Sequence, residues 1–319
     1  MSLQKQKTIL VVGSINIDLV ATAQKIPAVG ETVIGTDFQI YPGGKGANQA
    51  VAIARLGYPV HMLGCLGSDD FGLQLRDRMA QAGVCMSSVV TVDGPSGTAV
   101  IEVSSKGENS IVVAPGANHK LTPRHLEANI SLFRQASLVL AQLEIPIETI
   151  QCLSSICRRE RISLILDPAP ACELTQDVFR SVAWFTPNES EAAFYTRGGK
   201  GSSEPWHSRK VSDALIGQGC SGVVLKLGSK GAYLTSKGED GTMLPAFDVT
   251  PIDSTAAGDA FNGAFAVGLI CGKTPRSSAE FACAAAAISV TRKGAQPSMP
   301  SMAEVNAFVA QHANDLSEA

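Results

Sequence analysis

The segment Asp253-Ser-Thr-Ala-Ala-Gly-Asp-Ala-Phe-Asn-Gly263 holds residues suited to group transfer. The small, apolar run from Ala260 to Gly272 fits a buried helix, which puts Ala256, Ala257 and Gly258 at its N-terminus. Backbone N–H groups there have no helical partner, and the helix dipole adds positive potential, so an anion is attracted. Asp259 falls in the first turn, where a carboxylate serves as an ordinary cap. The small residues before it also let backbone approach a phosphate, which would make Asp259 a base beside an anion cradle.

Four further clusters carry polar groups. Gly43-Gly-Lys-Gly-Ala-Asn48 opens a helix, and its glycines permit close backbone approach while Lys45 and Asn48 offer donors. It is not a Walker A loop: position 39 is Gln39, and Gly46 follows the lysine. Gly13-Ser-Ile-Asn-Ile-Asp18 follows the first apolar run, with Asn16 and Asp18 alternating so that both side chains point one way. Such a pair suits sugar hydroxyls, or a turn cap. In Thr186-Pro-Asn-Glu-Ser-Glu191, Asn188 and Glu191 fit simple helix capping. Lys226-Leu-Gly-Ser-Lys-Gly231 is a glycine turn that suits a phosphate or a plain hairpin.

The elements that must position these groups follow from hydropathy. Apolar runs at Thr8–Val12, Val60–Cys65, Leu138–Gln142, Ile162–Leu166, Val182–Phe185 and Val223–Leu227 fit strands buried on both faces. Between them, Gly46–Leu56, Gly72–Ala82 and Ile147–Arg158 have helical periodicity, and Met302–His312 reads as a closing helix. Strand alternating with helix predicts an α/β fold: a doubly wound, mostly parallel sheet with helices on both faces. Ligands then bind beyond the carboxyl ends of the strands, where Gly13, Glu144 and Lys226 fall. Residues 15–42 and 97–114 break the rhythm. They are short, alternating and β-branched, and Thr98–Val103 with Ile111–Val113 around a Gly-Glu-Asn turn reads as a hairpin. They are expected to form a small β-sheet projecting as a lid from one domain that spans 1–319. Arg197–Arg209 is polar and glycine-rich, and reads as a connector.

Composition excludes several classes. A net charge of −3, no sustained basic run and 5% aromatic residues argue against nucleic acid. No apolar run reaches the roughly 20 residues of a membrane span, and the polar start does not resemble a signal peptide. Eight cysteines without a C-x-x-C pair read as reduced thiols in a cytoplasmic protein, and five scattered histidines show no zinc spacing. A dinucleotide-dependent oxidoreductase would need G-x-G-x-x-G after the first strand, which Gly13-Ser-Ile-Asn16 lacks. A sugar-binding protein without catalysis would have no use for Asp259 and an anion cradle together.

Taken in order from Gly13 to Pro300, these motifs resemble the ribokinase (PfkB) carbohydrate kinase family, whose two signatures are similar to Gly43–Asn48 and Asp253–Asp259. Asn16 and Asp18 together with Gly43–Asn48, and also Val290–Ser298, resemble the ribose-specific branch rather than adenosine or fructose-phosphate kinases. The resemblance implies transfer of the γ-phosphate of ATP to the 5-hydroxyl of D-ribose; the alternative is a kinase of 2-deoxyribose or a nucleoside. It implies that Asp259 is the base and Ala256, Ala257 and Gly258 the anion hole. It assigns the sugar to Asn16, Asp18, Gly44, Lys45, Asn48, Glu144 and Asp259. The nucleotide falls to Asn188, Lys226, Gly228, Ser229, Gly231, Gly258 and Cys283. Glu191 is implied in Mg²⁺ handling. A monovalent cation, K⁺, is implied at Asp253, Thr255, Ser289, Arg292, Gly294 and Ser298. A homodimer joined through the lid is also implied. Two positions depart from the pattern: Asp253-Ser-Thr where Asp-Thr-Thr is common, and Cys283 where the adenine pocket usually has His or Asn.

Overall fold

The computed structural model describes residues 8–197 and 207–315. The chain opens with β1 (Thr8–Val12), β2 (Asn16–Ala23), β3 (Gly35–Gly43), α1 (Lys45–Arg55), β4 (Val60–Leu63), β5 (Cys65–Gly67) and α2 (Asp70–Gln81). It continues through β6 (Val90–Val92), β7 (Gly97–Ser104), β8 (Asn109–Ala114), α3 (Pro123–Ala128), α4 (Ile130–Gln135), β9 (Ala136–Gln142) and α5 (Ile147–Glu160). Then come β10 (Ser163–Asp167), α6 (Gln176–Phe179), β11 (Trp184–Phe185), α7 (Glu189–Arg197), α8 (Ser208–Gln218) and β12 (Gly222–Lys226). The described chain closes with β13 (Ala232–Ser236), β14 (Thr242–Leu244), α9 (Ala257–Ile270), α10 (Pro275–Val290) and α11 (Met302–Asp315).

The main sheet has eight strands in the order β14-β13-β12-β11-β10-β9-β1-β4, parallel from β12 to β4, with β13 and β14 antiparallel at one edge. Alternate residues of each strand feed opposite faces. Ile9, Val11, Leu138, Leu140 and Ile165 pack with α1, α9 and α10. Leu10, Val12, Val139, Ala141 and Leu164 pack with the helices of the other face. That explains the continuous apolar runs. Phe265 anchors the first layer: it is fully buried, with Trp184 edge-on at 5.4 Å and Phe261 stacked at 6.2 Å.

A second sheet of four strands, β3-β2-β7-β8, is built from the two segments that broke the α/β rhythm. Its strands are mostly half-buried or exposed, because it projects from the main sheet and has little to pack on. The run Val60–Cys65 is not one strand. It divides at Gly64 into β4, in the main sheet, and β5, which pairs with β6 apart from it. The Gly64 carbonyl accepts from Val90 N–H instead of continuing the ladder. The run Val182–Phe185 shortens to two paired residues. Most of the Arg197–Arg209 segment lies outside the described residues. None of the described helices is long and apolar enough to cross a membrane.

Replacing Phe265 by Ala empties the centre of this layer. It is expected to lower unfolding free energy by about 3–5 kcal/mol in urea titration.

Candidate active site

At the carboxyl ends of β1, β9, β10 and β12 the chain brings together Ser14, Gln142, Glu144, Asp167 and Lys226. Two helices point their N-termini into the same place. One is α1, entered through Gly43 and Gly44. Gly44 sits at φ +86°, a conformation that a residue with a side chain adopts only with strain. Gly43 lies under the Asp18 carboxylate, so close that a Cβ there would fall 2.1 Å from Asp18 Oδ2. The other helix is α9. Its N-cap, Ala256, is left-handed (φ 59°, ψ 15°) and makes no side-chain cap. A left-handed residue joined to the first helical turn curls backbone N–H groups into an anion-binding concavity, at a strain on the order of 1 kcal/mol for a non-glycine residue.

Asp259 is buried at 5% exposure between donors. Asn48 Nδ2 donates to its Oδ2 and Gln49 Nε2 to its Oδ1, both at 2.9 Å. The same Gln49 nitrogen donates to Asp167 Oδ2 at 2.9 Å, and Asp167 Oδ1 accepts from Lys226 Nζ at 2.8 Å. Gln142 Nε2 donates to Gln49 Oε1 at 2.5 Å. Burial is the main reason that Asp259 is pushed up to about 6; nearby Asp167 adds to it, while Lys45, Asn48 and Gln49 oppose it. Burial works to lower Lys45, but Asp259, Asp167, Glu144 and Glu191 around it prevail and hold the ammonium above its ordinary value.

The lid sheet supplies the opposite wall. Asn16 and Asp18 lie on β2, with Asp18 facing Glu144, Asp259 and Lys45. Burial first, then those carboxylates, push Asp18 up to about 7. Asn16 is fixed by Asn118, whose Nδ2 donates to Asn16 Oδ1 at 2.7 Å while its Oδ1 accepts from Ile15 N–H. Glu144 Oε2 accepts from Ser14 Oγ at 2.5 Å and from Lys45 N–H at 3.1 Å. Asn16, Asp18, Gly44, Lys45, Asn48, Glu144 and Asp259 therefore gather around one space, a ring of donors and acceptors suited to a polyhydroxyl ligand.

Beside it lies a cavity of about 540 Å³ lined by Lys226, Gly228, Ser229, Gly231, Phe247, Ala257, Gly258 and Cys283, among others. The Lys226 ammonium lies 3.5 Å from where a Cβ on Gly258 would stand, so a cation faces the start of α9. Cys283 is buried in the cavity wall, and burial pushes its thiol up to about 12. Asn188 and Glu191 stand at the edge of this cavity rather than in its wall, where they cap α7 reciprocally. Glu191 Oε2 accepts from Asn188 N–H, Glu191 Oε1 from Asn188 Nδ2, and Asn188 Oδ1 from Glu191 N–H. Asn188 pairs by backbone with Lys226 at the rim and is not among the lining residues. Burial raises Glu191 above the ordinary glutamate value, with Lys226, Asp167 and Lys45 as its charged neighbours.

Residues from 252 to 298 form a further cluster next to α9. Asp253 accepts from Thr255 N–H and Gly294 N–H, and Ile252 and Asp253 N–H both donate to the Val290 carbonyl. Ser289 and Ser298 share a buried hydroxyl contact of 2.7 Å. The Arg292 guanidinium turns away to Glu304 at 2.6 Å, so only its backbone remains for this cluster.

Sequence reasoning missed Asp167, Gln49, Gln142, Ser14 and Asn118. Asp167 ends an apolar run before Pro168, and Gln142 ends another, so both stand at strand carboxyl ends, where the position itself was a signal. Gln49, next to Asn48 on α1, and Asn118, in a short helical turn after β8, carried none.

Comparison with known proteins decides the family. The pfkB family carbohydrate kinase profile matches residues 6–302. The chain belongs to that family. It is 38% identical to a ribokinase of Haemophilus influenzae over 97% of this chain and 100% of that protein. It is 40% identical to a ribokinase of Bacillus subtilis over 94% and 98%. A deoxyribokinase of Salmonella typhi is 33% identical over 94% and 98%. A structure of Arabidopsis thaliana ribokinase complexed with ribose and ATP superposes with a TM-score of 0.87, at 33% identity, covering 95% of this chain and 98% of that one.

The raised value of Asp18 has a consequence for stability. The folded state holds this proton more tightly than the unfolded chain, so its contribution is greatest at low pH and is lost as pH rises from about 4 towards about 7. Asp18→Asn is expected to narrow the difference in melting temperature between pH 5 and pH 8, read by differential scanning fluorimetry without ligands.

Proposed function

We propose that the protein is a ribokinase, which moves the γ-phosphate of ATP onto the 5-hydroxyl of D-ribose to give ribose 5-phosphate and ADP. The observation that carries this reading is the shared placement of Asp259: it closes the hydroxyl-binding ring and begins the helix that faces the nucleotide cavity. Ribose lies against Asn16, Asp18, Gly44, Lys45, Asn48 and Glu144. ATP occupies the neighbouring cavity, with Lys226, Gly228, Ser229, Gly231 and Gly258 near its phosphates and Cys283 in the base pocket. Asp259 takes the 5-hydroxyl proton as that oxygen bonds to the γ-phosphorus and the bond to the β-phosphate oxygen breaks. The N–H groups at Ala256, Ala257 and Gly258 receive the charge that develops on the transferred group. A lid over the ring excludes water, which would otherwise accept the phosphoryl group. A kinase of 2-deoxyribose or a nucleoside is the second reading; a deoxyribokinase is 33% identical to the chain, against 38% and 40% for two ribokinases.

Two ions fit this arrangement. Mg²⁺, which screens phosphate charge when bound, would be served by Glu191; both its oxygens are already engaged by Asn188, so it suits contact through water. A monovalent cation such as K⁺ would be held by the oxygens around Asp253, Thr255, Ser289, Gly294 and Ser298 with the backbone of Arg292, and would supply positive potential beside the anion hole. The protein is proposed to work in the cytoplasm, without nucleic-acid or membrane partners.

The lid sheet also suits a second copy of the chain. The register sets Ile40, Leu19, Val100 and Val112 in one row across all four strands, on the face opposite Asp18. Ile40, Val100 and Val112 are 40%, 47% and 67% exposed, an apolar face that stacking on its own copy would cover. Val112→Lys is expected to convert a dimer to a monomer in light scattering.

Coupled ADP release with ATP, Mg²⁺ and K⁺ over ribose, 2-deoxyribose, fructose, adenosine and cytidine tests the activity. Ribose is expected to turn over fastest, and Asp259→Asn to lower kcat by about 10²–10⁴-fold. Because Asp259 acts ionised, kcat is expected to fall as pH drops through about 6. Turnover confined to another acceptor would overturn ribose as substrate, and an active Asp259→Asn would overturn the base.

A further inference from the structure

We propose that Gln49 is a positioning residue for the base: its side-chain NH₂ is a fixed clamp that ties Asp259 to Asp167 and sets the orientation and ionisation of Asp259. The inference rests on Asp259 acting as base, but concerns a side chain that touches neither of the proposed substrate spaces.

The argument begins with complementarity. Gln49 is fully buried. One amide group carries two N–H donors and one acceptor oxygen. Here both donors are used on carboxylates, Asp259 Oδ1 and Asp167 Oδ2, each at 2.9 Å. Two anionic acceptors on one side leave no choice of amide orientation, since the flipped amide would set its oxygen against both. The Gln49 oxygen must then face Gln142, and Gln142 must present its NH₂, as it does at 2.5 Å. The chain of direction Gln142 → Gln49 → (Asp167, Asp259) is fixed by charge from one end. Asp167 is held in turn by the Lys226 ammonium at 2.8 Å. A lysine on the nucleotide side is thus connected through two side chains to the carboxylate on the sugar side.

Without this clamp, Asp259 keeps one donor, Asn48, and stands free of contact with Asp167. The charged groups that face Asp259 are Lys45 from α1, Asp167 at the end of β10 and Asp18 from β2, with Glu144, Glu191 and Lys226 further round the site. Removing a donor from a buried carboxylate surrounded mainly by other carboxylates favours its protonated form. The base is then ionised over a narrower pH range and less well aimed.

The test uses Gln49→Met, which keeps length and volume but has no donor, with Asp259→Asn as the reference. The pH profiles of kcat and the sugar KM are measured on proteins shown to be folded by circular dichroism. Gln49→Met is expected to lower kcat at neutral pH by about tenfold. Its acidic limb is expected to move up by about one pH unit, with the sugar KM changed less than twofold. Gln142→Met, which leaves Gln49 in place but releases its oxygen, is expected to move the limb the same way by less; it carries the test if Gln49→Met fails to fold. An unmoved acidic limb overturns the inference, whether or not kcat falls, because loss of packing alone would lower kcat without changing the ionisation of the base. If Asp259→Asn stays active, the base assignment fails and this inference with it. If Asp259→Asn is inactive and the limb of the Gln49 variant is unmoved, only this inference fails.

Discussion

A carboxylate removed from water must be bonded, paired or protonated, and the centre of this protein is arranged around that constraint. Asp259 has almost no solvent contact. Two amide donors and the Lys45 ammonium oppose the burial that would otherwise hold it neutral. The result is a group balanced near its titration point, as the proposed role of base requires. Much of the surrounding architecture can be read as a means of placing those donors. Helix α1 contributes Lys45, Asn48 and Gln49 from one face of its first turns, three and four residues apart, and it can begin there because Gly43 and Gly44 accept the turn that precedes it.

The same constraint accounts for the number of acids at the site. Among the described residues, Asp18, Glu144, Asp167, Glu191 and Asp259 have Lys45 and Lys226 as their cationic neighbours. Two of the acids are pushed up, Asp18 to about 7 and Asp259 to about 6, so near neutral pH protonation removes part of the charge at Asp18 while Asp259 stays mostly ionised. Positive potential on the cavity side comes from the Lys226 ammonium and from backbone: the uncapped start of α9 and the left-handed turn at Ala256. Acids on one side and backbone dipoles on the other divide the site into two halves, suited to hydroxyls and to phosphates, and Asp259 belongs to both.

The lid answers a different physical demand. Its four strands bury little against the main sheet, which keeps them free to serve two faces. One face presents Asp18 to the hydroxyl ring. The other presents an apolar row in which Leu19 packs towards the main core while Ile40, Val100 and Val112 are exposed. A single residue of strand register separates these roles, because neighbouring side chains on a strand point to opposite sides.

Most of this fold was legible before any coordinates. Six apolar runs separated by helical periods are enough for a parallel sheet with helices on both faces, since only strands buried on both sides are apolar throughout. The small second sheet was legible for the opposite reason, its alternation. That the motif residues lie at the strand ends was also legible, because glycine turns and polar pairs at strand ends are local features. The division of Val60–Cys65 at Gly64 was not, because it depends on which neighbour β5 finds. Nor were Gln49, Gln142, Asp167 and Asn118 as members of one site. Their partners lie 93 to 210 positions away in the chain for Gln49, and 102 away between Asn118 and Asn16. A hydrogen-bond partner at that separation is chosen by how strands and helices pack. The sequence determined which residues could donate, accept or take a proton; only the tertiary structure decided which of them meet, because buried polar groups must find partners in whatever space the packed core leaves.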